Sequence, residues 1–324
     1  MEPDVSGTDI YIDCYGKHHG SRCVELASGD SVHFLYEPEE KCGISGYTMA
    51  LFLNQAALSD DIYRYSKERR ICFLSESSIH PVYAHVEHLR NRFRFVFTHN
   101  KKLLDLGEPF VKHYIGTSWI ENISENKIPE KKKLVSFIGS LEHGNSHGYG
   151  LRKQVADLCL AGNQVDCYGK GIRPVESKLE ALADYAFSIA MENVREDYYF
   201  SEKLVDCILA GSVPIYWGCT GIGEVFDSRG MIQFDTTDEL ESILERLNMD
   251  TYKRMLPYAR ENRRRVIEQN WHSLDSCYFR LADILKTTGN LGELPTLGRA
   301  GNGLAIIRKI CAVAGNSLFG APHT

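Results

Sequence analysis

Residues 187–218 read FSIAMENVREDYYFSEKLVDCILAGSVPIYWG, and their pattern decides the fold. Residues 187–191 are an apolar run with the character of a strand, closed by Glu192 and Asn193. A polar loop follows over 194–199. Ser201 then precedes Leu204, Val205, Ile208 and Leu209, an apolar pattern at helical spacing that Gly211 ends. Val213–Trp217 reads as a second strand, closed by Gly218. Strand, loop, helix and strand in so short a span make a parallel crossover unit. In open α/β sheets, ligands bind outside the carboxyl ends of strands and at helix N-termini. Here that region holds Tyr199, Glu202 and Lys203.

Outward from this unit the same alternation continues. On its N-terminal side, strands at 134–140 and Val165–Tyr168 flank a helix over 151–160, with a Gly- and His-rich loop at 142–150. On its C-terminal side come a strand at 231–234 and helices over 237–247, 251–269 and 273–285. In the first third, strands at 8–13, 32–36, 71–74 and 93–97 alternate with helical patterns at 47–58, 82–89 and 101–106. Alternating strands and helices predict α/β architecture with mostly parallel sheets. The loose, polar stretch 114–129 reads as the connection between two domains. The expected division is 1–118, a linker at 119–132, 133–286, and a tail at 287–324 with one helix over 304–313.

The 324 residues carry a net charge of −6, which argues against a general nucleic-acid binder. Two basic runs stand out. Lys131-Lys132-Lys133 reads as a linker entering a strand, and Arg263-Arg264-Arg265 as an exposed helix face. The first residues show no basic region leading into an apolar core, and no apolar run reaches the length of a membrane span. The ten cysteines contain no CxxC pair and sit largely in apolar contexts, as reduced thiols do in a cytoplasmic protein. The segment 304–313, with Arg308 and Lys309, reads as a helix packed on a domain, or as an amphipathic helix in peripheral contact with a membrane.

The C-terminal half resembles the α1,3/4-fucosyltransferase family, which uses GDP-fucose, especially its soluble bacterial-type members. The resemblance runs through KKLVSFIGS (132–140), Arg152, VDCYGKG (165–171), Lys178, YAFSIAMEN (185–193), YYFSEKLVD (198–206) and GSVPIYWG (211–218). The family signature is a strand ending Phe-Glu-Asn, a Tyr six residues on, then x-Ser/Thr-Glu-Lys. Met191 replaces the Phe; Glu192, Asn193, Tyr199, Ser201, Glu202 and Lys203 fill the rest. In the N-terminal half, ICFLSESS (71–78) resembles the family's Glu-Ser-Pro strand, with Ser78 where proline is common, and RFVFTHNKKLL (94–104) resembles the stretch after it.

The resemblance implies two Rossmann-like domains of the GT-B type with a cleft between them, and a glycan acceptor bound at the N-terminal domain. It implies Arg152 and Lys203 as diphosphate ligands, Glu202 as the ribose ligand, and Lys178, Glu192, Asn193, Tyr199 and Ser201 as further donor-site residues. Glu76 is the candidate general base, since a carboxylate at a strand end can take the acceptor proton, and single in-line attack inverts the anomeric centre. The bland readings are a turn glutamate for Glu76, a solvated helix residue for Lys203, a surface ion pair for Arg152 and a dipole-favoured first-turn acid for Glu202.

His143 with His147, and His85 with His88, have metal-like spacing, but ordinary polar histidines fit both. With no Asp-x-Asp in the donor half, no metal and no cofactor besides the donor substrate are expected; Arg152 and Lys203 would replace a metal's charge. Two alternatives remain: the same fold using another nucleotide sugar, and a non-catalytic nucleotide- or glycan-binding protein.

Overall fold

The computed structural model describes residues 7–17, 21–120, 128–140, 148–289 and 297–298. Contacts divide the chain into two units, Met1–Phe73 with Ala84–Val96 and Ala282–Thr324, and Leu74–Tyr83 with Phe97–Leu281.

The first unit contains β1 (Asp9–Tyr15), β2 (Arg22–Glu25), β3 (Ser31–Leu35), β4 (Gly46–Tyr47), β5 (Met49–Leu53), β6 (Arg70–Phe73) and the short α1 (Val86–Arg90). Its strands run in the order β2-β3-β1-β5-β6. β1 is parallel to β3 and β5, β5 is parallel to β6, and β2 pairs antiparallel at the edge. The expected helix over 47–58 is instead strand β5 followed by a 3₁₀ turn over Asn54–Leu58. All five residues of β5 are buried. A strand covered on both faces is apolar throughout and loses the alternation that would distinguish it from a helix.

The second unit carries the second half of β7 (Phe95–Thr98), then α2 (Lys101–Leu104), β8 (Phe110–Lys112), β9 (Lys133–Ile138), α3 (Gly148–Ala161), β10 (Val165–Tyr168), β11 (Tyr185–Met191), α4 (Glu202–Leu209), β12 (Val213–Trp217), β13 (Ile232–Gln233), α5 (Thr237–Arg246), α6 (Met249–Glu268) and the start of α7 (Leu274–Gly289). In the first unit, β14 (Leu297–Gly298) pairs antiparallel with β4. Residues 74–83 and 97–118, expected with the N-terminal domain, group with the second unit. Local bonds account for this: Leu74 N–H donates to Phe97 O at 2.9 Å, and His113 Nε2 lies 3.3 Å from Cys277 Sγ.

The sheet of the second unit has the order β10-β9-β11-β12-β13 and is parallel throughout. β11 is central, and all seven of its residues are buried. Phe187, Ile189 and Met191 pack with Val155 and Ala156 of α3 and Leu240 of α5. Ala190 packs with Leu204, Val205 and Ile208 of α4. Burying a side chain such as Phe187 contributes about 1.5–3 kcal/mol, and covering both faces in this way fixes where the strand ends must lie.

The two basic runs do more than the sequence suggests. Lys131 is buried and its ammonium donates to Ala183 O at 2.8 Å and Ala210 O at 2.7 Å. Arg263 is also buried, with Nε donating to Leu209 O at 2.9 Å, so this residue does not belong to an exposed face. Leu209 and Ala210 end α4, and cations there satisfy carbonyls that no helical N–H can reach. The helix expected over 304–313 lies outside the described residues.

Candidate functional site

A pocket of about 420 Å³ opens at the carboxyl ends of the second sheet. Gly139 and Ser140 after β9, Gly169 and Lys170 after β10 and Asn193 after β11 line it, with Tyr149 and Arg152 of α3 and Glu202 and Lys203 of α4. From β9 the chain steps to β10 on one side, then returns to β11 on the other. This reversal parts the loops and creates the crevice. Two glycines allow the close packing around it. Gly169 has φ +117, and a Cβ there would sit 1.9 Å from Gly139 O. At Gly148 a Cβ would come within 2.7 Å of Asn193 O, the carbonyl that accepts the Gly148 N–H at 3.1 Å.

Five of the residues expected at the donor site line this pocket: Arg152, Lys178, Asn193, Glu202 and Lys203. Glu192, Tyr199 and Ser201 lie behind it and are buried. Glu192 accepts from Ser201 N–H at 2.9 Å and Ser201 O–H at 2.6 Å. Ser201 Oγ in turn caps α4, accepting from Lys203 N–H at 3.4 Å. These bonds tie the end of β11 to the start of α4 and set the position of the 193–200 loop.

Charges alternate along the pocket. Lys203 Nζ lies 3.7 Å from Glu192 and 3.1 Å from Glu202. Lys178 Nζ lies 3.7 Å from Glu202 and 2.5 Å from Asp206. Burial draws the Lys203 pKa down, but Glu192 and Glu202 outweigh it and hold the ammonium above its ordinary value. Burial pushes Glu202 up, yet Lys203 and Lys178 keep it below the usual carboxylate range. Burial dominates at Asp206, which is raised despite Lys178, and at Arg152, which is lowered. Arg152 donates to Met191 O at 2.8 Å, which fixes the guanidinium against the end of β11.

Glu76 is not among the pocket-lining residues. It lies in the bend after β6 with an exposed side chain, and its main-chain carbonyl accepts from Tyr83 O–H at 3.0 Å and from His99 Nε2 at 2.9 Å. His99 is wholly buried, its Nδ1 is 3.3 Å from Glu196, and its ring stands 4.8 Å from that of Tyr199. Burial would raise the Glu196 carboxyl, but His99 and Ser78 hold it below its usual value. The Glu76 bend and the loop after β11 are therefore joined through one imidazole.

Sequence reading missed His99, Glu196, Asp206 and Trp119. Asp206 stands four residues after Glu202, so helical spacing alone places both on one face of α4. Nothing local marks His99 or Trp119. The rings of His85 and His88 are 6.2 Å apart, and no group of three or more His, Cys, Asp or Glu placed to hold a metal occurs among the described residues. His143 and His147 lie outside those residues.

Residues 128–283 match the family model for glycosyltransferase family 10 (fucosyltransferase), C-terminal part. The matched segment is 156 of the 324 residues. It contains the pocket, apart from Trp119, and every expected donor-site residue. The chain is 30% identical over 124 residues to a fucosyltransferase-like protein of Arabidopsis thaliana, covering 37% of this chain and 24% of that protein. It is 22% identical over 112 residues to an α-(1,3)-fucosyltransferase of Helicobacter pylori, covering 34% and 23%. The matches thus span about a quarter of the length of these relatives. The fold is shared with a crystal structure of an α1,3-fucosyltransferase with GDP, at a TM-score of 0.54 and 15% identity over 88% of this chain and 92% of that one. The Rossmann-like, GT-B-type architecture expected from the sequence is borne out. Among the described residues no helix is long and apolar enough to cross a membrane.

Proposed function

We propose that this chain is an inverting glycosyltransferase that moves L-fucose from GDP-fucose to a hydroxyl of a glycan acceptor in an α1,3-type linkage. The observation that carries the reading is the placement of Arg152, Glu202 and Lys203 together at the switch-point pocket of the segment that matches family 10. A nucleoside diphosphate offers two chemistries to such a pocket. Its phosphates need fixed cations, and its ribose needs an acceptor for two hydroxyls. Arg152 and Lys203 supply the first and Glu202 the second. Asn193, at the carboxyl end of β11, lies where the sugar would pass.

In the reaction Glu76 takes the proton of the acceptor hydroxyl as its oxygen attacks the anomeric carbon. The carbon–phosphate-oxygen bond breaks on the opposite side, and the anomeric centre is inverted. Charge gathers on the departing diphosphate, where Lys203 and Arg152 stabilise it most in the transition state. With these cations in place the reaction needs no metal in this reading. The domain works in the cytoplasm, a placement supported by nine described cysteines that are all free.

The test is a calorimetric titration with GDP, UDP and CDP, with and without EDTA, followed by transfer assays with GDP-fucose. Selective GDP binding that survives EDTA is the expected result. Preference for UDP, or a strict metal requirement, would sink the proposed donor.

A further inference from the structure

We propose that Trp119 is the stacking platform for the nucleobase of the donor, a specificity-determining residue at the end of the pocket away from the diphosphate cations. The inference rests on the nucleotide-sugar reading above and assigns the part of the site that reading leaves empty.

The ion pairs give the pocket a direction. Arg152 is bonded to the end of β11, and from Lys203 the ion pairs pass to Glu202, Lys178 and Asp206. If phosphates sit on Arg152 and Lys203 and the ribose on Glu202, the base must lie toward Lys178, Asp206 and Trp119. Trp119 lines the pocket there, yet it is 71% exposed, whereas Trp217 and Trp271 are 9% and 6% exposed. An indole left in water beside a ligand pocket exposes a large apolar face that a base can cover.

The main chain that carries the indole is also held in place. Asp206 is 1% exposed and accepts from the main-chain N–H of Trp119 at 3.0 Å and from Ser118 O–H at 2.5 Å, while Ser118 Oγ accepts from the main-chain N–H of Ile120 at 2.9 Å. Lys178 Nζ, bonded to the same carboxylate, lies 4.8 Å from the ring centroid of Trp119. Asp206 is thus a positioning residue that fixes the backbone under the platform and the cation beside it. Pre-ordering the ring lowers the entropy lost when the base stacks. Stacking area favours a purine over a pyrimidine, in keeping with a guanine nucleotide.

The test uses the full chain with GDP and with inorganic pyrophosphate. In the wild type, GDP should quench tryptophan emission and shield it from acrylamide, because Trp119 is the exposed indole. Trp119→Leu should lose that quenching and weaken GDP by about tenfold or more, with pyrophosphate binding unchanged. Trp119→Phe should recover most of the affinity. An unchanged GDP affinity in Trp119→Leu, or loss of GDP and pyrophosphate binding alike, would overturn the platform while leaving the donor reading in place. If the wild type binds no GDP at all, both readings fall. The acrylamide measurement needs no variant, so a folding defect in Trp119→Leu cannot shelter the proposal.

Discussion

Glu192, wholly buried at the end of β11, accepts both the N–H and the O–H of Ser201 at the start of α4, at 2.9 and 2.6 Å. The two residues join the strand to the helix that carries Glu202 and Lys203. The signature residue Glu192 therefore acts through structure, holding the pocket's wall in register. Glu192→Gln can accept at only one oxygen and removes the charge that faces Lys203. It should lower unfolding free energy by about 2–3 kcal/mol in urea titrations and also weaken GDP. A variant with normal stability and lost GDP binding would instead make Glu192 a direct ligand.

Lys203 stands between Glu192 and Glu202 and faces the pocket. Lys203→Ala should weaken GDP about tenfold or more, while guanosine, which lacks phosphates, should bind as it does to the wild type. Calorimetry with both ligands checks this. Equal losses for the two would show that the lysine shapes the pocket rather than meeting the diphosphate.

Glu76 separates binding from chemistry. Glu76→Gln should keep GDP affinity within about twofold and reduce transfer by a hundredfold or more, since general-base catalysis is worth about 10²–10⁴. Persistent transfer would remove Glu76 as the base.

The Glu202 carboxyl gives a pH test with a definite sign. Lys203 and Lys178 overcome burial and hold it below its ordinary 4.5, so its ionised form stabilises the native state. That contribution is complete above the unfolded value and is lost as pH falls through the lowered folded one. Lys203, held above 10.5, loses its share only as pH rises past that value. The stability gap between wild type and Glu202→Gln, measured by urea unfolding, should be flat near neutrality and shrink below about pH 4.5. A gap that widens in acid would contradict the assignment.

Lys131 is lowered by burial to about 8, yet its ammonium serves Ala183 O and Ala210 O. Lys131→Ala leaves those carbonyls without this donor and should destabilise the chain by about 1–3 kcal/mol, seen as a lower urea midpoint. Because the lysine is depressed, the folded state releases its proton first. Its contribution to wild-type stability should therefore rise from about pH 8 toward 10.5, and a fall assignable to Lys131 over that window would refute this.

The sequence alone determined the crossover unit, because its signals are local. An apolar run, a serine cap, helical spacing and Gly211 with φ +74 mark β11, α4 and β12 where the structure has them. Arg152, Glu202 and Lys203 are named through the family resemblance, whose motifs are each contiguous in sequence. Tertiary structure alone decided the rest. Met49–Leu53, within the expected helix over 47–58, became a strand because both its faces are covered, which no local period reveals. His99 meets Glu76, Glu196 and Tyr199 across separations of 23, 97 and 100 residues, a juxtaposition made by the fold and not by any nearby residue type. Trp119 and Lys178 came together because one buried carboxylate, Asp206, has lone pairs for both.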